Sequence, residues 1–164
     1  MNISKTMQDA INAQIKNEIF SAYLYLSMAA YFESLNMPGS AKWMRAQHDE
    51  EQAHALKLFD FVNGRGGRVT LQAIDQPQAE WKSPLAAWEN VLAHEQKVTA
   101  LIHKLYEQAV AEKDYATQTM LAWFIDEQVE EEKSATLMVE RFKQAGDHPT
   151  TLLLLDGHFT KRDE

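Results

Sequence analysis

The sequence predicts an all-α chain, a four-helix bundle with one long crossover between helices 2 and 3 and a short fifth C-terminal helix. Three observations carry this reading. Only six glycines and four prolines occur in 164 residues, so few positions can break a helix. Four long stretches repeat apolar residues at intervals of three and four, the spacing of one helix face. Between the second and third, Arg65 to Lys82 lacks that period and contains Pro77; so long a connection has room to travel the length of a bundle.

The first helix starts at Ser4 or Thr6, either a suitable N-cap, and runs to about Leu35. Its seam is Met7, Ile11, Gln14, Glu18, Ala22, Tyr25, Ala29 and Phe32. Asn36-Met37-Pro38-Gly39 is a tight break that makes the first two helices antiparallel. The second helix runs from about Gly39 to Asn63, with the seam Met44, Gln47, Glu51, His54, Leu58 and Phe61, and ends at a glycine cluster. In the crossover, Val69-Thr70-Leu71 is read as a short strand pairing across a subunit boundary.

Ser83-Pro84 supplies a cap and a first-turn proline for the third helix. Its seam is Leu85, Trp88, Leu92, Glu95, Thr99, Ile102, Tyr106 and Ala109. A break at Lys113-Asp114 precedes the fourth, whose seam is Thr117, Leu121, Phe124, Gln128, Glu131, Ala135, Met138 and Phe142. Thr150 to about Phe159 forms the short fifth helix, too short to stand alone in water and expected to pack against other subunits. The whole chain, 1–164, reads as a single domain, with the bundle over about 5–145 and the fifth helix over about 149–160.

The formal net charge of -8 argues against nucleic acid and anionic membrane surfaces as partners. The absence of cysteine excludes disulfides, zinc–thiolate sites and cysteine-held iron–sulfur clusters. Neither a signal peptide nor a membrane span is expected, which makes a soluble cytoplasmic protein the default. The histidines His48, His94 and His103 are read as helix-surface residues.

Each long helix carries polar groups in mid-seam: Glu18; Glu51 and His54; Glu95; Gln128 and Glu131. One acid on a seam is ordinary, and Glu-x-x-His alone is a weak signal. Acids at matching depth on four helices would repel and raise one another's pKa, and bound cations cancel that repulsion. Oxygen donors with one imidazole suit iron or manganese better than structural zinc. Bundles that hold two metals use a glutamate from each of two helices and Glu-x-x-His from the other two. The fourth helix here departs from that pattern, offering Glu127 to Glu132 without a histidine.

Asn17-Glu18 followed by Tyr25, Glu50-Glu51-Gln52-Ala53-His54, His94-Glu95-Gln96, and Trp123 through Lys133 together resemble the bacterial non-haem ferritins. The resemblance implies a ferroxidase centre, with Glu18, Glu51 and His54 at one iron. Glu51, Glu95 and Glu131 would hold the other, with Gln128 beside it. It implies a third iron site from Glu50, Glu127, Glu130 and Glu131, whose outer members otherwise read as a solvated acidic face. Tyr25 resembles the family's redox-active tyrosine, and Trp123 is a second candidate electron donor; both can equally be packed aromatics.

The function implied by the resemblance is storage of iron: Fe(II) is oxidised with O2 or H2O2 and the mineral is enclosed in a homo-oligomeric shell of 24 subunits. A haem-binding bacterioferritin is disfavoured because Gln52 stands where its methionine ligand follows the second-helix glutamate, so no haem is expected. A rubrerythrin-like peroxidase lacks its cysteines here. The rival from another class is a structural helical bundle whose acids serve solubility.

Overall fold

The computed structural model describes residues 2–159, and those residues form five helices and no strand. They are α1 (Lys5–Ser34), α2 (Pro38–Gly64), α3 (Pro84–Ala111), α4 (Tyr115–Ala145) and α5 (Pro149–Phe159). The expected caps are in place: Ser4, Ser83 and Asp114 accept from the backbone N–H of Met7, Ala86 and Thr117. Pro38 and Pro84 occupy first-turn positions, where a missing N–H costs nothing.

Long-range hydrogen bonds set the helix directions. Ile3 N–H donates to Arg65 O, Ser4 Oγ–H donates to Glu112, and Arg65 makes a two-pronged ion pair with Asp114. One end of the bundle therefore gathers the start of α1, the ends of α2 and α3, and the start of α4. This makes α2 and α3 parallel, which requires a crossover running the length of the bundle.

The crossover is held without a strand. Asn12, buried on α1, accepts from Thr70 N–H and donates to Arg68 O, while Gln8 accepts from Arg68 N–H. Among the described residues Val69–Leu71 pairs with no strand, and its Thr70 amide is taken by Asn12 Oδ1. Arg65–Asp114 also gives Asp114 a structural task, both ion-paired and capping α4.

Every expected seam residue of α1 and α4 is buried, as are Met44, Gln47, Glu51, His54 and Leu58 on α2, with Phe61 half-buried. On α3 the seam is displaced: Ala87, Val91, Val98 and Leu105 are buried, whereas Leu85, Leu92, Thr99 and Tyr106 are only half-buried. The apolar interior falls into two clusters. One, around Trp43, Trp88 and Phe142, fills the α5 end; the other, around Ile11, Leu58 and Phe124, fills the opposite end. The mid-seam polar residues lie between these two plugs.

Helix α5 docks on its own bundle and also offers a face outward. Phe159 is buried against Trp88 and Phe142, and Asp156 receives Gly39 N–H, Ser40 N–H and the Ser40 hydroxyl at 2.7–2.8 Å. A carboxylate there satisfies the orphan amides at the start of α2 and complements its dipole. Leu153 and Leu154 remain exposed. A Cβ on Gly39 would lie 2.0 Å from Asp156 O. Gly39→Ala is therefore expected to lower stability by about 1–3 kcal/mol in urea unfolding, as overpacking does, with α5 amides losing hydrogen-exchange protection first.

Candidate metal centre

The polar layer is assembled from the middle of all four long helices. Glu18 comes from α1, Glu51 and His54 from one face of α2, Glu95 from α3, and Gln128 and Glu131 from one face of α4; all six are buried. Spacings of three within α2 and α4 put each pair on the same face. Among the described residues, no lysine or arginine is buried with them.

Glu18, Glu51 and His54 each present a ligand atom within 4.8 Å of the others. The two carboxyls share a hydrogen bond, and Glu51 Oε2 is buried with no hydrogen-bond partner, 3.5 Å from His54 Nδ1. An orphan carboxylate oxygen in a dry interior is costly. Facing a second carboxylate and an imidazole, it fits a divalent cation, which oxygen and imidazole donors of this kind bind. Glu95 and Glu131 do not join that group of three but repel it through space. Tyr25 O–H donates to Glu95, and the Gln128 amide lies 3.2 Å from Glu95 Oε2, Glu95 O and Thr99 Oγ.

The proton affinities record this crowding. Burial, followed by the charge of Glu51, raises Glu18 well above the carboxylate range. Burial and then Glu95 do the same to Glu51. Glu95 is raised mainly by burial, and Glu131, by burial and the charges of Glu95 and Glu50, is pushed up to about 8. Burial and the neighbouring Glu95 raise the Tyr25 phenol well above its usual value. These are the shifts of a site that holds protons where cations would otherwise sit.

A second group, Glu50, His54 and Glu127, also brings its ligand atoms within 4.8 Å, so His54 stands between two acidic groups. Glu130, expected beside them, is exposed and lies 3.6 Å from Lys133 instead. Trp123 packs edge-on to His54 at 5.4 Å, and Lys57 Nζ sits 3.7 Å from the centre of its ring.

Several positioning groups went unassigned from sequence. Gln14 donates to Glu18 at 2.7 Å and Gln47 to Glu131 at 2.9 Å. Both amides sit on the seam four residues before Glu18 and Glu51, and a neutral polar residue there was the available signal. His94 is not a surface residue. Its ring packs on Phe20 and Tyr25, Nε2 lies 2.8 Å from Ser21 Oγ, and burial lowers its pKa to about 4. Glu-x-x-His puts His54 on the seam, whereas the His94-Glu95-Gln96 motif does not show that the His94 ring turns back over α1. His48 is half-buried on the far side of α2, bonded to Ala22 O and to Gln52, and His103 is exposed as expected.

Four helices that cage a glutamate-rich layer around an unpartnered carboxylate oxygen define a carboxylate-type metal-binding bundle. Residues 8–145 match the ferritin-like domain family. The chain is 45% identical to a bacterial non-heme ferritin of Bacteroides fragilis over 88% of its own length and 91% of the relative's. With the Staphylococcus haemolyticus protein of the same name it shares 38% over 98% and 96%. A solved open pore ferritin from Archaeoglobus fulgidus superposes with a TM-score of 0.97 at 52% identity, covering 99% of this chain and 100% of that one. The chain belongs to the ferritin family, and its function is the oxidation and storage of iron.

The raised carboxyls carry a pH signature. In the folded metal-free protein they keep protons that the unfolded chain has already lost, so stability is fully present below the ordinary carboxylate pKa and falls as pH rises. For Glu131 the loss runs from the ordinary glutamate value of 4.5 up through about 8. The thermal midpoint of the metal-free protein should drop across that window, and Glu131→Gln should flatten the drop. A midpoint that rises with pH through the same window contradicts the assignment.

Proposed function

We propose that Glu18, Glu51, His54, Glu95 and Glu131 bind two Fe(II) ions as substrate, with Glu51 between them. The observation that carries this is Glu51 Oε2: buried, unbonded, and facing His54 and Glu18 from the centre of the layer. Fe(II) arrives as a cation in a site whose protons it displaces, so the binding step releases protons from Glu18, Glu51 and Glu131. Gln14 and Gln47 hold the outer carboxylate oxygens of Glu18 and Glu131, leaving the remaining oxygens to the metal. Gln128 stands over Glu95, where its amide can donate to a bound oxidant.

Tyr25 keeps its proton on a hydrogen bond to Glu95, which can receive that proton when the ring gives up an electron. The oxidant is O2 or H2O2, and the ferric product leaves toward the acidic group on the opposite side of His54. Glu50 and Glu127 form the core of a third iron site there, and Glu130 and Glu131 complete it after side-chain rotation. Glu50 and Glu130 are exposed, which suits a transfer position rather than a sealed one.

The assembly is a homo-oligomeric shell of 24 copies of one ferritin-like domain, in the cytoplasm, with the face of α5 bearing Leu153 and Leu154 covered by neighbouring copies. No helix of the described residues is long and apolar enough to cross a membrane. Haem has no support at the position after Glu51: Gln52 offers an amide that is bonded to His48 at 2.6 Å.

Anaerobic Fe(II) titration followed by oxygen tests the site. The parent should take up about two Fe(II) per chain at high affinity and oxidise them in a rapid phase, as di-iron bundles do. Glu51→Ala should abolish that phase and His54→Ala should slow it. Glu50→Ala with Glu127→Ala should keep the phase but lose further uptake. Parent-like rates in both Glu51→Ala and His54→Ala overturn the ligand assignment.

A further inference from the structure

Among the described residues, two of the three buried side-chain atoms that lack a hydrogen-bond partner are indole N–H groups, those of Trp43 and Trp88. Trp43 is 5% and Trp88 0% exposed. Leaving a buried donor unpaired costs about 1–3 kcal/mol, so two of them side by side call for a reason. Aromatic packing alone does not account for two adjacent donors with no acceptor in reach.

Their position suggests one. The Tyr25 ring lies 6.3 Å from Trp43, and Trp43 lies 4.8 Å from Trp88. Trp88 continues through Phe32 at 5.9 Å and Tyr31 at 5.4 Å to the partly exposed Trp81 at 5.1 Å. Trp81 ends the series differently, its indole donating to Asn90 Oδ1 at 3.1 Å. One unbroken line of rings thus joins the metal layer to the surface at the end of the crossover.

We propose that Tyr25, Trp43, Trp88, Tyr31 and Trp81 form an electron relay that carries surplus oxidising equivalents away from the iron site. The proposal rests on the ferroxidase reading above. It is needed when one Fe(II) meets one hydrogen peroxide: H2O2 + Fe(II) + e− + 2H+ gives Fe(III) + 2H2O, and the iron supplies only one of the two electrons. The other leaves Tyr25, whose phenolic proton passes to Glu95 along their hydrogen bond. Trp43 then returns an electron to the tyrosyl ring as Glu95 returns the proton, leaving Trp43 as a radical cation. Trp88 refills Trp43; Trp81 refills Trp88, the electron passing through the Phe32 and Tyr31 rings while Tyr31 keeps its phenolic proton; and a one-electron reductant in solution, such as Fe(II) or a thiol, refills Trp81.

The orphan N–H groups serve this passage. An indole radical cation is trapped when it loses its N–H proton, and neither Trp43 nor Trp88 has an acceptor to take it. Trp123, the other tryptophan beside the site, is set against the same use. The Lys57 ammonium 3.7 Å from its ring centre stabilises the electron-rich ring and opposes removal of an electron.

The assembled protein, loaded with sub-stoichiometric Fe(II) and mixed with hydrogen peroxide, is followed by freeze-quench electron paramagnetic resonance. Peptide mass mapping then locates added oxygen. The parent should show a tyrosyl signal giving way to a tryptophan signal, with oxygen added at Trp81. Trp43→Phe should prolong the tyrosyl signal severalfold and remove oxidation at Trp81, while Trp123→Phe should change neither. Should Trp43→Phe misfold, Trp81→Phe, a part-exposed position, decides: oxidation should move back to Tyr31 or Trp88. Unchanged tyrosyl lifetimes in both variants, or parent oxidation confined to Trp123, overturn the relay. A parent that fails to oxidise Fe(II) rapidly contradicts the ferroxidase reading, whereas rapid oxidation with unchanged lifetimes contradicts the relay alone.

Discussion

Four carboxyls, an imidazole and a phenol share one buried layer, and among the described residues no lysine or arginine is buried there to balance them. That constraint organises the rest of the molecule. Ionised acids in such a place would cost several kcal/mol each, so the metal-free fold keeps protons on them, as the raised Glu18, Glu51, Glu95 and Glu131 show. A fold can tolerate this only if its stability comes from elsewhere. The two apolar clusters on either side of the layer supply it, each built from all four long helices and each sealed by large aromatic or branched residues. On the proposed reading, metal uptake would replace those protons by cations.

Polar groups around the layer divide into those that hold and those that wait. Gln14, Gln47 and Gln128 each satisfy a carboxylate oxygen from outside, and Tyr25 does so for Glu95. Glu51 Oε2, at the centre, is left with none. His54 turns one edge to Glu51 and shares a second cluster with Glu50 and Glu127, so one imidazole borders both the buried layer and the acidic surface. The same helix spacing that makes α2 amphipathic thereby places the buried layer and the acidic surface on opposite sides of one residue.

The fold and the buried polar layer were legible because both obey local rules. A period of three to four on α1, α2 and α4 names residues that are buried, and the caps Ser4, Ser83 and Asp114 lie where their side chains can reach orphan amides. On α3 the buried face lies one position earlier than the seam at Val91, Val98 and Leu105, because Leu92 and Tyr106 are apolar enough to pass for seam residues. Pairings between distant segments could not be read. Asn12 replaces a strand partner for the crossover, Asp156 caps α2 from more than a hundred residues away, and Ser21 draws in His94. Each is a long-range match of one donor to one acceptor, with no periodic trace in either segment. Glu130, which the resemblance places at a third metal site, is exposed and lies 3.6 Å from Lys133.

The central claim is that Glu51 lies between two metal positions in the buried layer. A crystal soaked anaerobically in Fe(II), with anomalous scattering recorded at the iron edge, tests it directly. The account predicts two peaks inside the bundle, one bounded by Glu18 and His54 and the other by Glu95 and Glu131, with a carboxylate oxygen of Glu51 directed at each. Iron confined to the surface acids Glu50, Glu127 and Glu130, with the buried layer empty, would contradict it.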